Sequence, residues 1–225
     1  MSLKADLIAI GDIHGCNKTC KVLLQKLDEE YQSEPTYVFL GDYTDRGPDS
    51  KDVVEQLLDF DLHHDCVFIR GNHDQMLLDA YEKNEWDLWI ANGGSSTLRN
   101  YDAIPGNFEL PKKHYQFFTD TKLYWETEDY FFVHAGLNPN LTIKENLERE
   151  EERQEFIWQR SHIHAKKSKW EKTVVFGHTP VRETLVREHM IGIDTGCVYN
   201  RSGLGTLTAV VLPEEKFIEQ ASLDV

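Results

Sequence analysis

The sequence predicts an α/β layered fold whose first half is a parallel sheet covered by helices, and three observations predict it. Apolar runs at residues 7–10, 37–40 and 66–69 recur about 30 residues apart. Each run ends in a glycine-bearing polar string, and each string leads into a stretch with the 3.6-residue apolar period of a helix. Three strand–loop–helix units in a row argue for parallel strands. In such sheets ligands bind beyond the C-terminal ends of the strands, where all three polar strings lie.

The elements follow in order. Leu7, Ile8, Ala9 and Ile10 form a buried strand ending at Gly11-Asp12. Cys20, Leu23, Leu24, Leu27 and Tyr31 share one face of the next helix, with Asn17 as its N-cap. Residues 37–40 are a second strand, ending at Gly41-Asp42; Ser50 then caps a helix that buries Val53, Val54, Leu57 and Leu58. Residues 66–69 are a third strand, ending at Arg70-Gly71-Asn72, and a helix from near His73 buries Met76, Leu77, Ala80 and Tyr81. Residues 84–120 carry Trp86, Trp89, Gly93-Gly94, Tyr101, Phe108, Phe117 and Phe118. They read as short helices and loops beside the site, with most of these aromatics packing the flank. The second half reads as β-rich: a hairpin from 123–125 and 130–133, then strands at 174–176, 191–193, 207–212 and 216–218. Two packed sheets flanked by helices fit this tally. The glutamates of 144–160 read as a solvated helix face, with Phe156, Ile157 and Trp158 docking its end. No repeat or linker interrupts the chain, and residues 1–225 read as one domain.

Composition narrows the function. The chain has 225 residues, 40% of them hydrophobic, and a net charge of -15. It lacks the basic footprint of a DNA- or RNA-binding protein. Its four cysteines, Cys16, Cys20, Cys66 and Cys197, form no Cys-x-x-Cys pair and read as reduced core thiols. Residues 1–10 are too short and too polar for a signal peptide, and no apolar stretch approaches a membrane span, so a cytoplasmic location is expected. No phosphate loop of nucleotide-binding type is present.

Five strings carry the chemistry: Gly11-Asp12-Ile13-His14-Gly15, Gly41-Asp42-Tyr43-Thr44-Asp45-Arg46-Gly47, Gly71-Asn72-His73-Asp74, His134-Ala135-Gly136 and Gly177-His178-Thr179. Hydrolysis of a phosphate ester needs a nucleophile at neutral pH and neutralisation of phosphoryl charge. A bridged metal pair supplies both, and these Asp, His and Asn residues suit one. Asp12 and His14 are two apart, so an extended backbone aims both the same way. The glycines let the backbone turn sharply beside ions.

In order and spacing, from residue 6 to about 212, these strings resemble the phosphoprotein phosphatase branch of the metallophosphoesterases, above all its compact bacterial and phage serine/threonine phosphatases. The resemblance implies a four-layer α/β/β/α sandwich. It implies that Asp12 and His14 hold one metal, that Asp42 bridges, and that Asn72, His134 and His178 complete the second. His73 becomes the general acid, with Asp45 as its carboxylate partner. Asp74 stands where the eukaryotic members have Glu; it is the rival partner, assigned here to helix capping or support of the site. Arg46, Arg70 and Arg160 would grip the substrate phosphate. Asp194 and Thr195 are given only a structural role, and His63, His64, His162 and His164 are read as surface residues.

The implied activity is metal-dependent hydrolysis of phosphoserine and phosphothreonine, with phosphotyrosine a further candidate, by direct attack of a hydroxide bridging the metals. A symmetrical bis(5'-nucleosyl)-tetraphosphatase is the alternative. Gly177-His178-Thr179-Pro180 and Ile157-Trp158-Gln159-Arg160 lean towards the phosphatase; an adenine stacked on the aromatics of 86–118 would favour the alternative. A catalytically inactive metal-binding scaffold is a third reading, disfavoured because His73, Asp45 and the arginines are all present. The ligand set suits two divalent ions, manganese before iron or zinc. The expected partner is a phosphoprotein or a phosphorylated small molecule or nucleotide, with no nucleic acid, no membrane and the oligomeric state left open.

Overall fold

The computed structural model describes residues 6–31 and 34–225, with the side chains of 150–152 outside the description. Residues 1–5 of the stretch tested for a signal peptide therefore lie outside it. Among the described residues, ten strands form two five-stranded sheets. In the first, β1 (Leu7–Ile10), β2 (Thr36–Phe39) and β3 (Cys66–Phe68) are parallel. β9 (Thr206–Leu212) adds antiparallel to β1, and β10 (Lys216–Ala221) adds antiparallel to β9. In the second sheet, β5 (Tyr130–Val133), β6 (Thr173–Phe176) and β8 (Met190–Gly192) are parallel. β4 (Tyr124–Glu126) and β7 (Leu185–Arg187) pair antiparallel at its edges.

The two-residue period of each strand decides which layer its side chains join. Ala9, Val38 and Val67 of the first sheet pack against Phe132, Val175 and Ile191 of the second. The alternate residues Ile8, Ile10, Tyr37 and Phe39 face the helices α1 (Asn17–Glu30), α2 (Ser50–Asp61) and α3 (Asn72–Lys83). On the far side Phe131, Val133, Val174 and Phe176 pack with Ile143, Phe156 and Trp170. The layers are therefore helix, sheet, sheet and helix, as expected.

Three short helices, α4 (Trp86–Ala91), α5 (Gly94–Asn100) and α6 (Lys112–Asp120), form the flank beside α3. Trp89 and Phe118 are fully buried there, and Phe108 and Phe117 nearly so. The flank-packing reading of these aromatics holds. After β5 come α7 (Ile143–Glu148) and α8 (Glu150–Glu155). Glu145, Glu148 and Glu155 are exposed there, as expected of a solvated face; the side chains of Glu150, Glu151 and Glu152 lie outside the description. All four cysteines are free thiols, three of them buried. Among the described residues no helix is long and apolar enough to cross a membrane.

Three local expectations need correction. Asn17 is the first residue of α1 rather than its cap, which is Cys16. Ser50 likewise starts α2, and its hydroxyl accepts the Asp45 N–H at 3.0 Å instead of capping the helix. His162 is not a surface residue: it is fully buried against Phe176, with ring centroids 4.4 Å apart. A His-x-His string has no apolar pattern of its own, so nothing local reveals that burial.

Candidate active site

The five polar strings converge because each leaves the C-terminal end of a parallel strand. Asp12 and His14 follow β1, Asp42 and Asp45 follow β2, Asn72 and His73 open α3 after β3, His134 follows β5 and His178 follows β6. The loops are held in costly conformations. His14, Asp42, Asp45, Arg46 and His178 have φ of 46°, 53°, 74°, 67° and 66°. Left-handed backbone costs a non-glycine residue about 1–2 kcal/mol, so the surroundings must impose it. His14 N–H donates to the Asp42 carbonyl at 2.8 Å, and Gly177 N–H to the His134 carbonyl at 2.8 Å. The Asp74 carboxylate accepts N–H bonds from Gly71 at 2.8 Å, Asp42 at 2.9 Å and Tyr43 at 3.2 Å. Asp74 thus ties the Asp42 loop to the start of α3, in keeping with its expected capping and support. Burial, then the Asp42 charge, pushes its carboxyl up to about 7.

Two groups of side chains could each hold a metal ion, and Asp42 belongs to both: His14, Asp42 and His73 in one, Asp42, His134 and His178 in the other. Asp42 Oδ2 lies 3.4 Å from His14 Nε2, and its Oδ1 lies 3.4 Å from His134 Nε2. His14 Nδ1 donates to the Thr44 carbonyl at 2.8 Å and His134 Nδ1 to the Leu40 carbonyl at 2.7 Å. Each bond turns the other ring nitrogen, Nε2, towards the site, the arrangement that orients metal-ligating imidazoles. Asn72 Oδ1 and His178 Nδ1 stand 3.1 and 3.2 Å from His134 Nε2. His178 Nε2 is buried without a partner. Carboxylate, imidazole and amide atoms packed this closely are a donor set for first-row transition ions. Asp12 stands apart from both groups: its carboxylate accepts the His178 N–H at 3.0 and 3.1 Å.

The electrostatics follow from burial and proximity. Burial alone would raise Asp42, but the His134, His73 and His14 charges hold it well below the usual carboxylate range. Burial would lower His134, yet Asp42 and then Asp12 lift it to about 10. His178 is pushed down to about 2 by burial and by the His134 charge. Burial and then Asp194 raise Asp12 well above its ordinary value.

Beside this cage, His73 Nδ1 donates to Asp45 Oδ2 at 2.7 Å, with both side chains buried. Asp45, not Asp74, is therefore its carboxylate partner. Two residues not anticipated from sequence complete this arrangement. Trp89 Nε1 donates to the same Asp45 oxygen at 2.8 Å, and Thr97 Oγ1 donates to Oδ1 at 2.6 Å. Trp89 was legible only as a flank aromatic, and no local signal marks Thr97.

The arginines divide. Arg46 reaches the site: Nη1 donates to His14 Nε2 at 2.6 Å and Nη2 to His73 Nε2 at 2.7 Å. Arg160 is exposed, near enough for its charge to help depress His178. Arg70 is placed elsewhere. Its guanidinium donates to the carbonyls of Phe118, Thr119 and Thr121, to Thr121 Oγ1 and to Gln75 Oε1. Those carbonyls end α6 and need donors, and the guanidinium's hydrogen bonds go to them, to Thr121 Oγ1 and to Gln75 rather than to the ligand groups. At the opposite side Trp158, 38% exposed, stands edge-on to His178 with centroids 6.2 Å apart. Among the aromatics of 86–118, Trp89 is fully buried with its N–H bonded to Asp45, while Trp86 is half-buried and bonds Asn84.

Known proteins share this layout. The profile of the calcineurin-like phosphoesterase family matches residues 6–203. The chain is 30% identical over 240 residues to the asymmetrical bis(5'-nucleosyl)-tetraphosphatase PrpE of Oceanobacillus iheyensis, covering 98% of this chain and 93% of that protein. A crystal structure provisionally described as a diadenosine tetraphosphatase superposes with a TM-score of 0.71 at 23% identity, over 100% of this chain and 98% of that one. A Saccharomyces cerevisiae serine/threonine phosphatase superposes at 0.61 and 15% identity, over 97% of this chain and 80% of that one. With strand-end loops, paired ligand groups and a family profile in agreement over most of its length, the chain belongs to the calcineurin-like metallophosphoesterases.

Proposed function

We propose that the protein is a metal-dependent hydrolase of bis(5'-nucleosyl) tetraphosphates that cuts the phosphate chain off-centre. The observation that carries this reading is the end-to-end likeness to the asymmetrical tetraphosphatase PrpE. Likeness to a protein phosphatase, at 15% identity, speaks to the fold alone. The reading therefore departs from the phosphoprotein substrate implied by the sequence motifs. It also departs from the symmetrical alternative, whose cut is central. Trp158 supports it with an exposed indole beside His178 on which a base can stack.

In this reading Asp12, His14 and Asp42 would hold one metal, and Asp42, Asn72, His134 and His178 would hold the other. Manganese is the first choice for both. When bound, such a pair acidifies water and offsets phosphoryl charge. The protein's own groups do the rest. Once Arg46 turns to the phosphate, His73 Nε2 is free to take a proton from solvent and pass it to the leaving bridging oxygen, while Asp45 keeps Nδ1–H in place and steadies the charged ring. Trp89 and Thr97 hold the Asp45 carboxylate from behind. Arg46 forks across His14 and His73, so a phosphate oxygen that draws it away is placed beside the proton donor. Arg160 closes the His178 side.

The manganese-loaded protein should be compared on diadenosine tetraphosphate, a phosphoserine peptide and p-nitrophenyl phosphate. The expected result is the highest kcat/KM on diadenosine tetraphosphate, with ATP and AMP as products. Two ADP would make the cut central. A preference for the phosphopeptide would overturn the nucleotide reading.

A further inference from the structure

The mouth of the site carries positive charge beyond what the chemistry above uses. The chain has 39 acidic residues against 24 Lys and Arg. Among the described residues no arginine, Arg46, Arg182 and Arg201 included, has a carboxylate within ion-pair distance. These three also meet. The Arg46 guanidinium lies over the Tyr199 ring, 5.8 Å from its centre, and the Arg201 guanidinium lies over the same ring at 5.5 Å. Arg182 is on the segment that follows His178, and its side chain runs across Gly203, where a Cβ would stand 3.0 Å from Arg182 Cδ. Guanidiniums that share one ring beside the site, in so acidic a chain, suit an anion from outside.

The loop that holds them is built rather than slack. Tyr199 N–H donates to the Gly196 carbonyl at 2.9 Å, Leu204 N–H to Arg201 at 2.9 Å and Gly205 N–H to Gly196 at 3.0 Å. Val181 N–H donates to the Asp194 carbonyl at 2.9 Å, tying the Arg182 segment to the end of β8. A preformed loop spends less of its binding energy on ordering. Because Arg46 also contacts His73, the cluster lies on the proton-donor side of the site.

We propose that Arg182 and Arg201, with Tyr199 between Arg46 and Arg201, form a second phosphate subsite for the polyphosphate on the leaving-group side. Guanidinium forks suit phosphate oxygens, and the phenol ring keeps two of them aligned by cation–π contact. The occupant, the phosphates remote from the one attacked, rests on the dinucleoside tetraphosphate reading. The test does not need that reading. Inorganic tripolyphosphate and orthophosphate are compared as competitive inhibitors of p-nitrophenyl phosphate hydrolysis, with free manganese held constant. In the wild type tripolyphosphate should bind roughly ten-fold or more tighter, as expected for extra charge-assisted bonds. The Arg182→Gln/Arg201→Gln double variant should collapse that ratio towards one. A Lys18→Gln/Lys144→Gln variant, with the same change in net charge, should keep it. An unchanged ratio in the arginine variant, or an equal fall in the lysine variant, overturns the subsite. Failure to cleave diadenosine tetraphosphate, with the ratio behaving as expected, would instead strike the substrate reading and leave the subsite standing.

Discussion

His73 makes the sharpest claim at the scale of single residues. A general acid is worth about 10²–10⁴ in rate, and it matters most for a poor leaving group. His73→Asn should therefore lose far more rate on a phosphoserine peptide, whose alkoxide needs the proton, than on p-nitrophenyl phosphate. Asp45→Asn should show the same split more mildly. Equal losses on both substrates would give His73 a positioning role, and loss of bound metal would make it a ligand. Trp89→Phe removes one donor to Asp45 and keeps the ring's bulk, so kcat on the peptide should fall roughly three- to ten-fold with KM held. A rise in KM alone would detach Trp89 from the proton donor. Arg70 yields the opposite kind of prediction. Its five bonds brace the end of α6, so Arg70→Ala should lower stability by about 2 kcal/mol and Tm by roughly 4–8 °C. A large rise in KM for phosphate esters, with Tm unmoved, would return Arg70 to the phosphate.

At the scale of elements, the site depends on how closely strand-end loops approach one another. Gly71 shows this. A Cβ there would meet Asp42 Oδ1 at 2.1 Å and Asp42 N at 2.3 Å, distances no structure tolerates. Gly71→Ala must push Asp42 away, and Asp42 is the side chain common to both ligand groups. Elemental analysis should find fewer than two metals per chain in Gly71→Ala and in Asp42→Asn. Two tightly held metals in either variant would end the bridging role of Asp42. Strand and helix positions were legible at this scale because each carries its own period. The caps were not: the Ser50 hydroxyl is claimed by the Asp45 loop, a contact local sequence cannot foresee. Strand β7, three residues long at a sheet edge, is too short to show a period.

At the scale of the whole molecule, one buried group links stability to pH. His162 is fully buried, neither ring nitrogen has a partner among the described residues, and burial, then the His164 charge, holds it down to about 4 from an ordinary 6.5. Below 6.5 the unfolded chain takes up a proton that the folded chain refuses. Stability should therefore fall as pH drops from about 6.5 to about 4, by up to about 3 kcal/mol from this group. Urea unfolding of the metal-free protein, wild type against His162→Leu, isolates the effect. The two curves should converge near neutrality and separate in acid, with the variant the more stable. Parallel curves from pH 7 to 4 would show that His162 contributes nothing to acid sensitivity.

By itself the sequence determined the layered α/β class and the strand-end strings whose Asp, His and Asn side chains the fold gathers. Each of these depends on local patterns: apolar periods, glycines at sharp turns, and Asp, His and Asn in short strings. The tertiary structure decided what those side chains touch. It sent Arg70 to the carbonyls of α6, gave Asp45 rather than Asp74 to His73, recruited Trp89 and Thr97 from 44 and 52 residues away, and buried His162. It also left Trp158 exposed beside His178. The physical reason is common to all of them. A guanidinium, a carboxylate or an indole is satisfied by whichever partner the fold brings within about 3 Å, and that partner comes from packing between layers that no local period encodes.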